Sequence, residues 1–204
     1  MPAAGKLITL EGLDGSGKTT LAAGLVAAFG TLTLLREPGG VVLAERVRAL
    51  VSDPALDVDP RAEALLYAAA RAQLVAERVR PLLSGGHDVL LDRFVDSALA
   101  YQGAGRGLGI DAVRAINAFA TGALFPDRTL LLRVDPATGR SRQSARGAPD
   151  RLEREGDAFF ASVGAAYDAL AAAEPGRFVV LDAAASPESV LAAAVKAVAA
   201  SLTR

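Results

Sequence analysis

Short, continuous apolar runs alternate with longer helical patterns along this chain. The runs fall at residues 6–10, 32–35, 88–91, 129–134 and 178–181. None shows the alternation of a half-exposed strand, so each predicts a strand covered on both faces. The spacing of apolar residues between them predicts helices near 18–29, 41–51, 60–83, 111–121, 157–173 and 187–202. Three starts carry a polar cap followed by proline at the first helical position: Asp59-Pro60, Asp135-Pro136 and Ser186-Pro187. Such strand–helix alternation predicts an α/β fold with an open, five-stranded parallel sheet. Ligands on these sheets sit beyond the carboxyl ends of the strands, so the residues after each strand should carry the chemistry.

No repeat or linker interrupts the 204 residues, a length that fits one domain with a sizeable core. The most irregular stretch is 139–155, charged and containing Gly and Pro. It reads either as a solvated connector or as a short lid that brings arginines to a phosphate.

Composition narrows the function classes. The chain is 51% hydrophobic but only 5% aromatic, so its core is built mainly from Ala, Leu and Val. A net charge of −1 argues against a broad nucleic-acid or anionic-membrane surface, while leaving room for a basic pocket. With no cysteine and only His87, thiolate catalysis, disulfides, and cysteine- or histidine-based metal clusters are excluded. The lack of a bilayer-length apolar stretch and of a signal-peptide pattern leads us to expect a cytoplasmic protein. Lys6, Lys18 and Lys196 are the only lysines. The many arginines fit either codon bias or phosphate recognition by planar forks, and only their positions distinguish the two.

Residues 12–19 read Gly-Leu-Asp-Gly-Ser-Gly-Lys-Thr, a complete Gly-x-x-x-x-Gly-Lys-Ser/Thr phosphate-binding loop between a predicted strand and helix. Glycines at Gly12, Gly15 and Gly17 let backbone N–H groups, including those of Leu13 and Ser16, point at a polyphosphate. The helix that follows directs its positive end to the same place. Lys18 can then reach the outer phosphates, and the Thr19 hydroxyl can sit on a magnesium ion. A nucleoside triphosphate with Mg2+ is the expected ligand. Asp14, inside the loop, is either a turn aspartate or an acceptor for a ligand hydroxyl.

The second predicted strand ends in Arg36-Glu37-Pro38-Gly39-Gly40 and the third in Asp92-Arg93. Asp92 has the position of the acidic group that holds the magnesium water shell in phosphate-loop NTPases. Magnesium does not account for Arg93 beside it, but a second phosphate would. A phosphate monoester is already ionised at neutral pH, with its second pKa near ~6, so transfer to it needs charge cancellation rather than a general base.

On these motifs, together with Tyr67-Ala-Ala-Ala-Arg71-Ala-Gln73 and Tyr101-Gln-Gly-Ala-Gly-Arg-Gly107, nearly the whole chain resembles the bacterial thymidylate kinases. The resemblance implies a P-loop NTPase fold and phosphorylation of dTMP to dTDP by ATP. It also implies residue roles. Asp14 would hold the sugar 3′-hydroxyl, and Arg36 and Arg93 the monophosphate. Tyr67 would stack on the thymine, Arg71 donate to its O4, and Tyr101 pack where a ribose 2′-hydroxyl would lie. Pro38 and Ser97 complete the dTMP set. A pure donor at Arg71 also makes physical sense, since it suits a keto oxygen and repels the amino group of cytosine. The lesser alternative for Tyr67 and Arg71 is a surface pair one helical turn apart.

The resemblance further implies a homodimer and a catalytic arginine either in the phosphate loop or in the lid. Gly15 and Ser16 leave the loop without one, so Lys18 and Arg93 would be joined in catalysis by the lid residues Arg142 and Arg146, with Arg151 a further candidate. Ser144 stands where relatives often have another arginine. Two other departures stand out: Ala98 replaces a Thr or Asn that helps bind the pyrimidine edge, and Arg133 replaces an acidic residue. The rival readings are another pyrimidine nucleoside monophosphate kinase and a non-catalytic nucleotide-binding switch. Against a guanine-specific switch, no Asn-Lys-x-Asp segment is present.

Overall fold

The computed structural model describes residues 4–144 and 150–202. Five strands, β1 (Leu7–Glu11), β2 (Thr33–Arg36), β3 (Val89–Asp92), β4 (Arg128–Arg133) and β5 (Phe178–Asp182), form a single sheet of order β2-β3-β1-β4-β5. Every neighbouring pair is parallel, with Leu7 opposite Val89, Thr33 opposite Val89, Ile8 opposite Arg128 and Thr129 opposite Phe178. Central β1 is buried at all five positions, whereas edge strands β2 and β5 are only partly buried. A strand with no wet face is apolar on both sides, as at Leu7, Ile8 and Leu10, and its buried Thr9 and Glu11 are hydrogen-bonded.

All five strands close on a charged residue: Glu11, Arg36, Asp92, Arg133 and Asp182. These line up along one edge of the sheet and mark where the chemistry collects.

Helix α1 (Lys18–Phe29) starts at Gly17 and stops at Gly30, both in the left-handed region. It packs against the last helix, numbered α9 here (Pro187–Leu202), and both touch the sheet. A second group is formed by α2 (Val42–Ser52), α3 (Pro60–Leu74) and α6 (Ile110–Thr121), to which α8 (Asp157–Ala173) is joined through residues 99–105. The side chain of Asp59 caps α3 by accepting from Arg61 N at 2.8 Å.

Three segments depart from the expected elements. The helix expected over 60–83 is not uniform: α3 passes into a π-helical turn, Val75–Val79, before the short α4 (Arg80–Ser84). Pro81 accounts for this, because its ring lacks an N–H and opposes the carbonyl of Glu77, four residues earlier. The stretch 139–155 is not irregular throughout. Helix α7 (Pro136–Ser144) occupies its start, and 151–154 form a turn. Between β3 and α6, α5 (Val95–Ala98) continues into a π-helical segment, Leu99–Gly105, that carries Tyr101 and Gln102. Among the described residues, no helix is long and apolar enough to cross a membrane.

Candidate active site

The phosphate loop leaves β1 through Gly12 at φ 136 and turns at Gly15 (φ 75) and Gly17 (φ 96), values that side chains rarely tolerate. Lys18 folds back over the loop, its Nζ donating to Gly12 O at 3.0 Å and Leu13 O at 2.9 Å. Burial, and then the nearby Arg93 guanidinium, pull its pKa down to about 8, against the opposing pull of Asp14 and Asp92. Among the described residues, three buried oxygens at this edge, Ser16 Oγ, Glu37 Oε1 and Asp92 Oδ1, have no hydrogen-bond partner. An unpaired carboxylate oxygen is costly to bury, and a cation or its water shell would satisfy it.

Arg93, directly after β3, holds a left-handed backbone at φ 68. Such a conformation is uncommon for a bulky residue and collects at functional sites. It is fixed by Arg93 N donating to Leu10 O at 2.9 Å. The guanidinium is thereby aimed across the loop. It donates to Asp14 Oδ1 at 2.6 Å, to Gly12 O at 3.1 Å and to Ser97 Oγ at 3.1 Å, and lies over the Tyr101 ring. The Tyr101 hydroxyl donates to Asp14 Oδ2 at 3.0 Å. Burial works to raise the pKa of Asp14, but Arg93 and Lys18 prevail and hold it at about 2.

Under this layer lies the buried carboxylate of Glu11, which accepts from Phe94 N at 2.8 Å, Ser97 Oγ at 2.5 Å and the Tyr167 hydroxyl at 3.0 Å. Burial pushes its pKa up. Ser97 is thus tied to Glu11 and Arg93 as well as facing the cleft.

Arg71 is 2% exposed, which excludes a surface pair with Tyr67. Its Nε donates to Glu37 Oε2 at 2.6 Å, one Nη to Asn117 Oδ1, and the other to Phe94 O at 3.0 Å. A guanidinium has five N–H bonds, so these three contacts orient the fork and leave donors over.

Two adjoining clefts open at this edge of the sheet, and a third lies past β4 and β5, lined by Gly12, Leu13, Arg133, Asp135 and Asp182 among others. The first is lined by Asp14, Pro38, Tyr67, Arg71, Arg93, Ser97 and Tyr101. These are all of the residues expected to hold dTMP except Arg36. Ala98 also lines it, as do Glu37, Arg48, Ser52, Gln102, Asp150, Leu152 and Glu153. The second cleft is lined by Gly15, Gly17, Lys18, Thr19, Arg36, Arg78 and Asp92, among others. Arg36 thus sits on the phosphate-loop side, half exposed and paired with Glu45 at 2.9 Å. Asp14, Glu37, Arg48 and Arg93 border both clefts.

Residues 10–194 match the thymidylate kinase family model. The chain belongs to the thymidylate kinase family. It is 52% identical over 195 residues to a thymidylate kinase of Deinococcus radiodurans, covering 94% of each chain. It is 48% identical over 202 residues to one of Lactobacillus delbrueckii subsp. bulgaricus, covering 95% of each. Among solved structures, a thymidylate kinase from Ehrlichia chaffeensis superposes with a TM-score of 0.76 at 29% identity, covering 96% of this chain and 99% of that one.

Within this thymidylate kinase fold, the absence of an arginine from the phosphate loop has a steric counterpart. A Cβ at Gly15 would lie 2.0 Å from Gly139 O, because loop and α7 meet backbone to backbone. Of the arginines expected in the lid, Arg142 donates to Ala183 O at 3.0 Å, just past β5. Arg146 lies outside the described residues. Arg133, which departs from the family pattern, pairs with Asp168 of α8 at 2.8 Å on the surface.

Sequence reasoning missed Glu37, Arg48, Gln102 and Asn117. Glu37 and Gln102 sit inside the quoted motifs and could have been singled out, whereas Arg48 lies outside them on α2. Asn117 gives no local signal, since it meets Arg71 from 46 residues away.

Proposed function

We propose that this enzyme transfers the γ-phosphoryl group of ATP to dTMP, giving ADP and dTDP. One observation carries the reading: the phosphate-loop cleft and the Tyr67–Arg71 cleft meet at Asp14, Glu37, Arg48 and Arg93. A donor phosphate on the loop and an acceptor phosphate in the neighbouring cleft would face each other across two arginines. Proximity and charge cancellation are what this reaction requires.

In this reading Gly12, Leu13, Gly15, Ser16 and Gly17 supply backbone N–H groups to ATP, and Lys18 turns from the loop carbonyls to the outer phosphates. Thr19 and the unpaired Asp92 Oδ1 would hold Mg2+, directly or through its waters. No group of three or more His, Cys, Asp or Glu residues is arranged as a metal site among the described residues, so the phosphates would complete the coordination. The ion, when bound, neutralises charge on the transferring group.

Arg93 bridges Asp14 and the acceptor phosphate. Asp14 and Tyr101 close the sugar end, while Tyr67 stacks on the base. Arg71, its fork set by Glu37, Asn117 and Phe94 O, gives a free N–H to thymine O4. Arg142, with Arg146, would supply the cation that the loop lacks. The segment 139–155 would then serve as a short lid on one kinase domain.

We further read the enzyme as a cytoplasmic homodimer. The resemblance implies the dimer, and the adjoining helices α2, α3 and α6 leave Val42, Leu50, Leu65 and Phe119 exposed, with Phe119 at 92%. Sedimentation of the purified chain as a monomer would remove that part.

The deciding experiment is a coupled ADP-release assay across the common nucleoside monophosphates. We expect dTMP to give steady turnover at the highest kcat/KM. Preference for another pyrimidine monophosphate would reassign the substrate, and no turnover on any would leave a nucleotide-binding switch.

A further inference from the structure

Beyond the clefts, one cluster is built around a carboxylate that the chemistry above does not use. Glu63, on α3 one turn before Tyr67, is fully buried. It accepts from Gln102 Nε2 at 2.8 Å, from Arg106 Nε and Nη2 at 3.2 and 3.0 Å, and from an Nη of Arg151. A carboxylate offers about four acceptor positions, and these donors fill them. Burial would raise the Glu63 pKa, but the bonds from Arg106, Gln102 and Arg151 outweigh it and keep it below the usual range.

The three donors come from two other segments. Gln102 lines the acceptor cleft, and Arg106 follows the same π-helical segment. Arg151 belongs to the turn whose neighbours Asp150, Leu152 and Glu153 form one wall of that cleft. That turn is seated further. Arg151 Nε donates to Val51 O at 2.9 Å and Arg151 N to Ser52 O at 3.3 Å. Both carbonyls are in the last turn of α2, where helix carbonyls have no partner within the helix and attract positive charge. Glu155 pairs with Arg106 at 2.5 Å, and Asp150 and Glu153 close the turn on each other through backbone N–H contacts of 2.8 and 2.9 Å.

Arg151 therefore has its guanidinium committed on two sides, to Val51 O and to Glu63. We infer that Arg151 and Glu63 are positioning residues, whose ion pair on the carboxyl end of α2 holds the 150–155 turn as a wall of the acceptor cleft and so sets acceptor affinity. This rests on the proposed function only in taking the acceptor to be dTMP. A residue acting on the transition state would change kcat instead.

The test uses Arg151→Ala and Arg151→Lys in the full chain. Glu63 keeps Arg106 and Gln102 in both, so the buried carboxylate stays paired. Calorimetry would measure dTMP and ATP binding separately, and steady-state assays kcat and both KM values. For Arg151→Ala we expect dTMP affinity to fall roughly tenfold or more, ATP affinity to hold, and kcat at saturation to stay within about threefold. Arg151→Lys, which keeps the charge but not the fork, should recover part of the loss. Glu63→Gln should weaken dTMP binding at least as much, because it also loosens Gln102. A large drop in kcat at unchanged dTMP affinity would make Arg151 a catalytic residue and overturn the inference, as would unchanged affinity and turnover in the alanine variant. If Arg151→Ala melts below assay temperature, the lysine variant decides by the same two criteria. Failure of the parent chain to bind dTMP would strike the proposed function instead.

Discussion

Arg93 and Asp14 form a 2.6 Å ion pair that ties the carboxyl end of β3 to the phosphate loop. The pair stands on the border of the two clefts, and Arg93 reaches it from a left-handed backbone conformation. Strain of this kind costs about 1–3 kcal/mol and persists only where surrounding contacts enforce it. Here those contacts run from Leu10 O, Gly12 O, Ser97 and Tyr101. In the proposed reaction this arrangement would place a cation between two mutually repelling phosphates before either arrives.

The same pair sets a pH dependence. The pKa of Asp14 in the folded chain, about 2, lies below its ordinary 3.8. Its ionised form therefore contributes stability above pH 3.8, and that contribution is lost as pH falls toward 2. Asp14→Asn should be less stable than the parent at neutral pH, and the gap should narrow as pH drops below 4. Denaturant titrations of both proteins at pH 7, 5 and 3 check this. A gap that stays constant, or widens in acid, would contradict the pairing.

Lys18→Ala should leave the fold intact and reduce turnover by about 10²–10³-fold or more, the usual consequence of removing a charged group aimed at the transferring oxygens. The lowered Lys18 pKa adds a second readout. Polyphosphate should favour the ammonium, so ATP binding above about pH 8 should take up a proton. Calorimetry in buffers of different ionisation enthalpy measures that uptake, which Lys18→Ala should abolish.

Arg71→Lys keeps a charge beside the buried Glu37 carboxylate but loses the fork held by Glu37, Asn117 and Phe94 O. Removing a hydrogen bond to a buried partner costs about 1–3 kcal/mol, so dTMP should lose roughly 5–150-fold in kcat/KM. The preference for dTMP over dCMP should narrow, while KM for ATP stays near the parent value. Specificity constants for both monophosphates test this, and an unchanged ratio would move base recognition to Gln102 or Ser97.

What the sequence made legible follows from the range of the interactions. Helices α1, α8 and α9 have the expected bounds, because caps, prolines and glycines act within a turn. Four strands run one residue past their apolar runs, since the backbone ladder extends through Glu11, Arg36, Asp92 and Asp182 whatever the side chain. The phosphate loop and the Asp92-Arg93 pair were readable because phosphate binding demands fixed spacing. Glu63 was not, because a buried carboxylate in a helix looks like a solvated one until Arg106 and Arg151 arrive from 43 and 88 residues away. For the same reason Arg151 read as a possible phosphate ligand.

The arginine that completes the charge balance remains to be tested directly. The loop lacks one, and Gly15 has no room for a side chain beside Gly139 O. Arg93 is already committed to Asp14 and Arg151 to Glu63. Arg142 is different: it donates to Ala183 O from an exposed side chain, a contact easily exchanged for a phosphate oxygen. Arg142→Ala combined with Arg146→Ala should lower kcat by ~10³-fold, near the low end for an arginine finger. ATP affinity, measured by calorimetry without acceptor, should change little, since a transition-state contact is not made in the ground state. If turnover stayed within a few-fold, Arg93 together with Arg48 would have to carry the charge, and Arg48→Ala would then show the loss.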